Sequence, residues 1–129
     1  VEVTLKTIKE IKNTYLRLVI GCGGNRDRLK RPLIGKISCE YADYVYFTED
    51  NSRAEATKKI INEITCDLVK NNYSIIESRY QAIKKTIIDS KPGDTIVIMG
   101  KGIEKTKVSD KYLSDLEIVL QVYKELNNE

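Results

Sequence analysis

The chain has 129 residues, 41% of them hydrophobic and 32% charged, a mixture that suits one globular domain and excludes a disordered chain. No apolar run is long enough to cross a bilayer and the first residues do not read as a signal peptide, so no membrane partner is expected. Twenty-two basic against 19 acidic side chains leave a net charge of +3, too even a balance to argue for nucleic acid. The absence of His removes histidine-based acid–base catalysis and His-ligated metals.

Cys22, Cys39 and Cys66 have no metal-like spacing and fit a reducing cytoplasm; no metal site is expected. The chain opens on Val1, and residues 1–12 already carry a helical pattern in Val3, Leu5, Ile8 and Ile11. It is therefore read as part of a longer polypeptide.

Tyr15 to Ile20 is a short β-branched and apolar run, read as a buried strand. The glycine-rich stretch Gly21-Cys22-Gly23-Gly24 follows, and Arg31-Pro32 opens a helix striped by Ile34, Ile37 and Tyr41. Tyr44 to Thr48 reads as a second strand. Beyond it Ser52 and Glu55 are spaced as a capping box, ahead of a helix carrying Ile60, Ile61, Ile64 and Leu68. Asn71-Asn72 makes a turn, and Ser74 to Glu77 is a short third strand. Ala82, Ile83 and Ile87 mark a helix that stops at Lys91-Pro92-Gly93-Asp94. Thr95 to Met99 is the clearest strand. Ser114 and Glu117 form a second capping-box pattern before a last helix with Leu116, Val119, Leu120 and Tyr123.

This alternation predicts an α/β fold, a mostly parallel sheet with helices on both faces. Ligands of such sheets bind at the carboxyl ends of the strands, where loops 21–31, 49–54 and 100–107 are expected to gather.

Loop 21–31 reads Gly-Cys-Gly-Gly-Asn-Arg-Asp-Arg-Leu-Lys-Arg. It matches neither a dinucleotide fingerprint nor a phosphate-binding P-loop. Its glycines would let backbone N–H groups approach an anion, with Arg26 and Lys30 adding charge; a tight turn with a solvated basic rim explains the same residues. Asn51 and Arg53, two residues apart, suit a carboxylate, since a guanidinium fork binds one bidentately. An Asx turn and helix cap account for Asp50, Asn51 and Ser52 without any ligand, and for this loop taken alone that is the simpler account. In Gly100-Lys101-Gly102-Ile103-Glu104 the glycines permit close backbone approach and Glu104 could accept from an ammonium, although a plain loop exit is the simpler account. Cys22 has no histidine to activate it and reads as a packing residue.

Taken together, the blocks Gly-Cys-Gly-Gly-Asn-Arg-Asp-Arg-Leu-Lys-Arg-Pro, Tyr-Ala-Asp-Tyr-Val, Asp-Asn-Ser-Arg-Ala-Glu, Lys-Pro-Gly-Asp and Gly-Lys-Gly-Ile-Glu closely resemble the C-terminal domain of the UDP-N-acetylmuramyl-tripeptide synthetases, a branch of the Mur ligases of peptidoglycan synthesis. The similarity runs over nearly the whole chain. The resemblance implies a Rossmann-like fold and a three-domain parent. Its N-terminal domain would hold the UDP-sugar and its central domain ATP and Mg2+ on a P-loop. The C-terminal domain, residues 1–129, would bring in the amino acid whose amine attacks an acyl phosphate. The work of this domain would be positioning and electrostatics, with no catalytic residue of its own and no activity in isolation.

By the same resemblance, Arg26 would meet a carboxylate of the incoming amino acid. Asn51 and Arg53 would hold its distal carboxylate. The backbone carbonyl of Gly100 and the side chain of Glu104 would take the distal ammonium. A substrate charged in both senses at its far end is meso-diaminopimelate; lysine would leave Arg53 unpaired. Three positions depart from the family pattern: Ser52 replaces a Pro, Ile103 a His and Leu116 an Arg. A divergent Mur-like ligase with another acceptor amino acid, and a non-catalytic binding module, are the alternatives.

Overall fold

The computed structural model describes residues 15–21, 31–48, 57–66, 68, 71–99, 106–108 and 111–127. Strand and helix alternate along them: β1 (Leu16–Gly21), α1 (Arg31–Tyr41), β2 (Tyr44–Thr48), α2 (Thr57–Thr65), β3 (Tyr73–Ile75), α3 (Arg79–Asp89), β4 (Thr95–Met99), β5 (Thr106–Val108), β6 (Lys111–Leu113) and α4 (Asp115–Asn127). The first helical pattern, in residues 1–12, lies outside the described residues, as does the Ser52–Glu55 capping box.

The four longer-range strands form one parallel sheet in the order β3-β2-β1-β4, and β5 and β6 form a separate antiparallel pair. The expected parallel α/β sheet is therefore present. The chain builds outward from β1 through β2 to β3, then crosses back to place β4 on the other side of β1. That reversal puts a topological switch point between β1 and β4.

The period of two along each strand sorts its side chains between two layers of helix. Leu16, Leu18 and Ile20 of β1 join Val45 and Phe47 of β2 on one face, packed with Cys39 and Ala42 at the end of α1 and Ile61 and Ile64 of α2. Val19 and Tyr46 point to the opposite face, where Ala82 and Ile83 of α3 and Ile118 and Val122 of α4 cover them. The register keeps these faces aligned, with Leu18 beside both Val45 and Val97, and Ile20 beside both Phe47 and Met99. Burying each such aliphatic side chain is worth about 1.5–3 kcal/mol, so the two faces together are the main reason the sheet forms.

Local chemistry fixes the helix ends. At α3 the Ser78 hydroxyl accepts from the Gln81 N–H. At α4 the predicted capping box closes in both directions: Glu117 N–H donates to the Ser114 hydroxyl and Ser114 N–H to the Glu117 carboxylate, at 3.2 and 3.1 Å. The Asn72 amide ends α1 by donating to the carbonyls of Cys39, Ala42 and Asp43.

The inward face of α4 differs from expectation. Leu116, Leu120 and Tyr123 are exposed, and the buried line is Ile118 and Val122. The helix is apolar on more than one side, and the residues of α3 opposite it decide which side is covered. The β5–β6 pair, with strands of three residues each, was not anticipated.

A polar cluster locks the amino edge of the sheet. Arg17 donates from Nε to Asp94 at 3.1 Å and from Nη1 to the Tyr46 hydroxyl at 3.1 Å, and that hydroxyl donates to Asp89 at 2.8 Å. Its guanidinium also lies 4.8 Å from the centroid of the Tyr15 ring. Burial, reinforced by the bond to Asp89, pushes the Tyr46 phenol well above its ordinary range.

Candidate functional site

The carboxyl edge of the sheet contrasts with the locked amino edge. β1, β2 and β4 are contiguous, and their last residues are level: Gly21 pairs with Thr48, and Ile20 with Met99. With about 4.8 Å between neighbouring strands, the ends of β2, β1 and β4 lie within about 10 Å of one another. Three segments leave the sheet from these ends: 22–30 after Gly21, 49–56 after Thr48 and 100–105 after Met99. The candidate residues Arg26, Asn51, Arg53, Gly100 and Glu104 all fall on these segments, as does Cys22, and all lie outside the described residues.

The helices add to this edge. Only two residues separate the end of α1 at Tyr41 from the start of β2, so the carboxyl end of α1 sits at the amino edge of the sheet. A helix of its 11 residues is about 16 Å long, which carries its amino end back to the edge where β1 stops. A helix amino end favours negative charge, the sign of a carboxylate ligand.

The amino end of α3 is tied to the same edge by two attachments. Thr48, the buried last residue of β2, donates from its hydroxyl to the Glu77 carbonyl at 3.1 Å, and Ile76 N–H donates to the Phe47 carbonyl at 3.0 Å. Arg79, the first residue of α3, is fully buried. Its guanidinium grips both oxygens of Asp115, Nε to Oδ1 at 2.8 Å and Nη2 to Oδ2 at 2.9 Å, and Nη2 also donates to the Met99 carbonyl at 3.0 Å. This bidentate pair joins the first turns of α3 and α4 to the last residue of β4. Sequence reasoning singled out none of Thr48, Arg79 and Asp115. An arginine at the start of a helix is by default a solvated surface residue, and only the fold brings Asp115 to it.

Among the described residues no group of three or more His, Cys, Asp or Glu side chains could hold a metal ion. Neither does the sequence contain a Gly-Lys-Ser/Thr phosphate loop.

The sheet order and the switch point between β1 and β4 define a Rossmann-like α/β domain. The chain belongs to the family of the Mur ligase, glutamate ligase domain, whose model matches residues 1–102. It is 39% identical over 125 residues to a UDP-N-acetylmuramoyl-L-alanyl-D-glutamate--2,6-diaminopimelate ligase of Clostridium tetani, covering 95% of this chain and 26% of that protein. It is 41% identical over 126 residues to the ligase of the same name from Aquifex aeolicus, with 95% and 26% covered. A solved structure of a ligase of that name superposes with a TM-score of 0.85 at 30% identity, over 98% of this chain and 27% of that one. A murein peptide ligase from Psychrobacter arcticus, 20% identical with a TM-score of 0.64, shares the fold over 99% of this chain and 25% of its own. The chain spans about a quarter of the length of the curated relatives it matches.

Proposed function

We propose that this chain is the amino-acid-delivering domain of an ATP-dependent ligase that attaches meso-diaminopimelate to UDP-N-acetylmuramoyl-L-alanyl-D-glutamate. The observation that carries the proposal is the place in the chain of three of the resembling blocks, residues 21–32, 50–55 and 100–104. Each begins at or within two residues of the end of one of three contiguous parallel strands around a switch point, in a chain whose relatives are named as 2,6-diaminopimelate ligases.

On this reading Arg26 meets a carboxylate of the incoming amino acid. Asn51 and Arg53 hold its distal carboxylate, and the Gly100 carbonyl with Glu104 takes the distal ammonium. These contacts orient the amine that attacks the acyl phosphate of the dipeptide, forming the amide bond as phosphate leaves. Holding the amine in line is an entropic contribution, and effective molarities of such arrangements are large. ATP and Mg2+ belong to the central domain and the UDP-sugar to the N-terminal domain of the same polypeptide, a cytoplasmic enzyme of cell-wall synthesis. This chain alone turns over no ATP.

The test compares kcat/KM for meso-diaminopimelate and L-lysine in the intact ligase, with and without Arg53→Ala. The wild type is expected to favour diaminopimelate. Loss of the guanidinium removes a charge-assisted contact worth a few kcal/mol, so the preference should fall by about a hundredfold. Discrimination that survives the substitution unchanged would refute the role of Arg53.

A further inference from the structure

A fully buried guanidinium is an expensive way to hold two helices together. Well-packed apolar side chains of similar volume usually do so at equal or lower cost, whereas removing one partner of a buried pair leaves the other charge uncompensated. Arg79 is such a group, and its position is informative. It sits under the carboxyl edge of the sheet, and its third contact is the carbonyl of Met99, the last residue of β4. That carbonyl is half of the peptide unit joining Met99 to Gly100. The unit is planar, so a hydrogen bond that fixes the carbonyl direction fixes the plane from which the chain continues into 100–105. Asp115 in turn fixes the guanidinium, since a bidentate carboxylate locks both its position and its rotation.

We propose that Arg79 and Asp115 are positioning residues for amino-acid binding: the pair anchors the Met99 carbonyl, the end of β4, from which Gly100 and Glu104 of the proposed ammonium site follow in the chain. The inference rests on the proposed function of the 100–105 segment. It adds two residues from other helices to the determinants of amino-acid affinity, neither of which touches the substrate.

The structure supplies its own control. Arg17 and Asp94 form a comparably shielded pair at the opposite edge of the same strands, with side chains 12% and 11% exposed. A merely structural role for Arg79–Asp115 predicts that disrupting either pair has the same kind of effect.

The experiment uses the intact ligase with Asp115→Asn, Arg79→Met, Arg79→Lys and Asp94→Asn. For each variant KM is measured separately for the amino acid, ATP and the UDP-linked dipeptide, along with the melting temperature. The amino acid is whichever of meso-diaminopimelate and L-lysine the wild type accepts. A preference for lysine therefore refutes the substrate assignment while the positioning test proceeds. Asp115→Asn is expected to raise KM for the amino acid by about tenfold to a hundredfold, the effect of a misplacement of about 1 Å, and to leave the other two constants within about twofold. Arg79→Lys should recover part of what Arg79→Met loses, because the ammonium can reach the carbonyl without the fork. Asp94→Asn should lower the melting temperature and leave every KM unchanged. Asparagine at 115 preserves shape, so this variant carries the test if Arg79→Met fails to fold.

A second measurement isolates the route. If the pair acts through Glu104, Asp115→Asn combined with Glu104→Gln raises KM by less than the product of the single effects. The proposal is overturned if Asp115→Asn leaves KM for the amino acid within about twofold of wild type, if it raises all three constants together, if Asp94→Asn reproduces its pattern, or if the double variant is strictly multiplicative.

Discussion

Replacing Gly35 with Ala adds one methyl group to the middle of α1, where ordinary helix propensity favours it by about 1 kcal/mol. The structure predicts the opposite sign. An ideal Cβ at residue 35 would lie 2.1 Å from the Ile64 carbonyl oxygen, 3.1 Å from the Ile64 carbonyl carbon and 3.2 Å from its Cγ2. Even a close carbon–oxygen contact needs about 3.3 Å, so α1 and α2 must separate by about 1 Å. The obstacle is backbone and cannot rotate aside. Ile64 is also held in the core beside Ile61, Leu18 and Phe47, so a shift of α2 drags buried side chains with it. Overpacking of this kind costs about 1–3 kcal/mol, and a conflict with backbone belongs at the upper end. After the propensity gain, a net loss of about 1–2 kcal/mol remains. For a domain of this size each kcal/mol moves the melting temperature by about 3–6 °C, so Gly35→Ala should melt about 3–12 °C below wild type in a circular-dichroism scan. A variant that melts at or above the wild-type temperature would show that α1 and α2 are not in backbone contact at residue 35.

The capping box at α4 predicts that Ser114→Ala lowers stability by about 1 kcal/mol, read as a lower denaturant midpoint at unchanged m; no shift would mean that the reciprocal bonds contribute nothing. Asp94 is held below its ordinary carboxylate value by the Lys91 N–H and by Arg17, and Asp89, against the opposing effect of burial, by Lys85 and Tyr46. A depressed carboxylate stabilises the fold above its unfolded pKa, and that contribution is lost as pH falls through the folded value. Stability should thus decline below about pH 4, and Arg17→Met should shrink the decline. In the alkaline range the Tyr80 phenol is pushed up to about 12 by burial and by its bond to Glu125. The folded state then keeps a proton that the unfolded state releases near pH 10, so stability falls from about pH 10 to pH 12, and Tyr80→Phe should flatten that limb in pH-dependent denaturation.

β1, β2 and β4 were legible because short β-branched runs between glycine, proline and asparagine stops leave little freedom, whereas β3 runs over Tyr73–Ile75 instead of the expected 74–77. β2 and β4 have the bounds expected, and β1 begins and ends one residue later. The helix caps of Ser114 were legible for the same local reason. The face of α4 was not, because Leu116, Ile118, Val119, Leu120, Val122 and Tyr123 supply apolar residues on overlapping sides of one helix. Packing against Ala82 and Ile83, far away in sequence, selects Ile118 and Val122. Arg79 was illegible for a related reason: its partners Asp115 and Met99 are separated from it by 36 and 20 positions, and nothing local distinguishes it from a solvated arginine. The candidate ligand residues were singled out only as blocks in a fixed order, since taken alone the 49–54 and 100–104 loops are better explained as a cap and a plain loop exit.

The two edges of the sheet divide the labour of the domain. At the amino edge, Arg17, Tyr46, Asp89 and Asp94 satisfy one another, and Asn72 closes α1; these contacts hold strand starts and helix ends in place. At the carboxyl edge the three contiguous strands β2, β1 and β4 end level with one another, and segments rich in charged residues follow them in the chain. Polar groups buried beneath that edge hold two of the strand ends: Thr48 ties the end of β2 to the turn before α3, and Arg79 with Asp115 ties the end of β4 to the first turns of α3 and α4. Two of the buried polar side chains among the described residues, Thr48 and Arg79, thus serve strand ends, while the apolar layers on the two faces supply most of the stability.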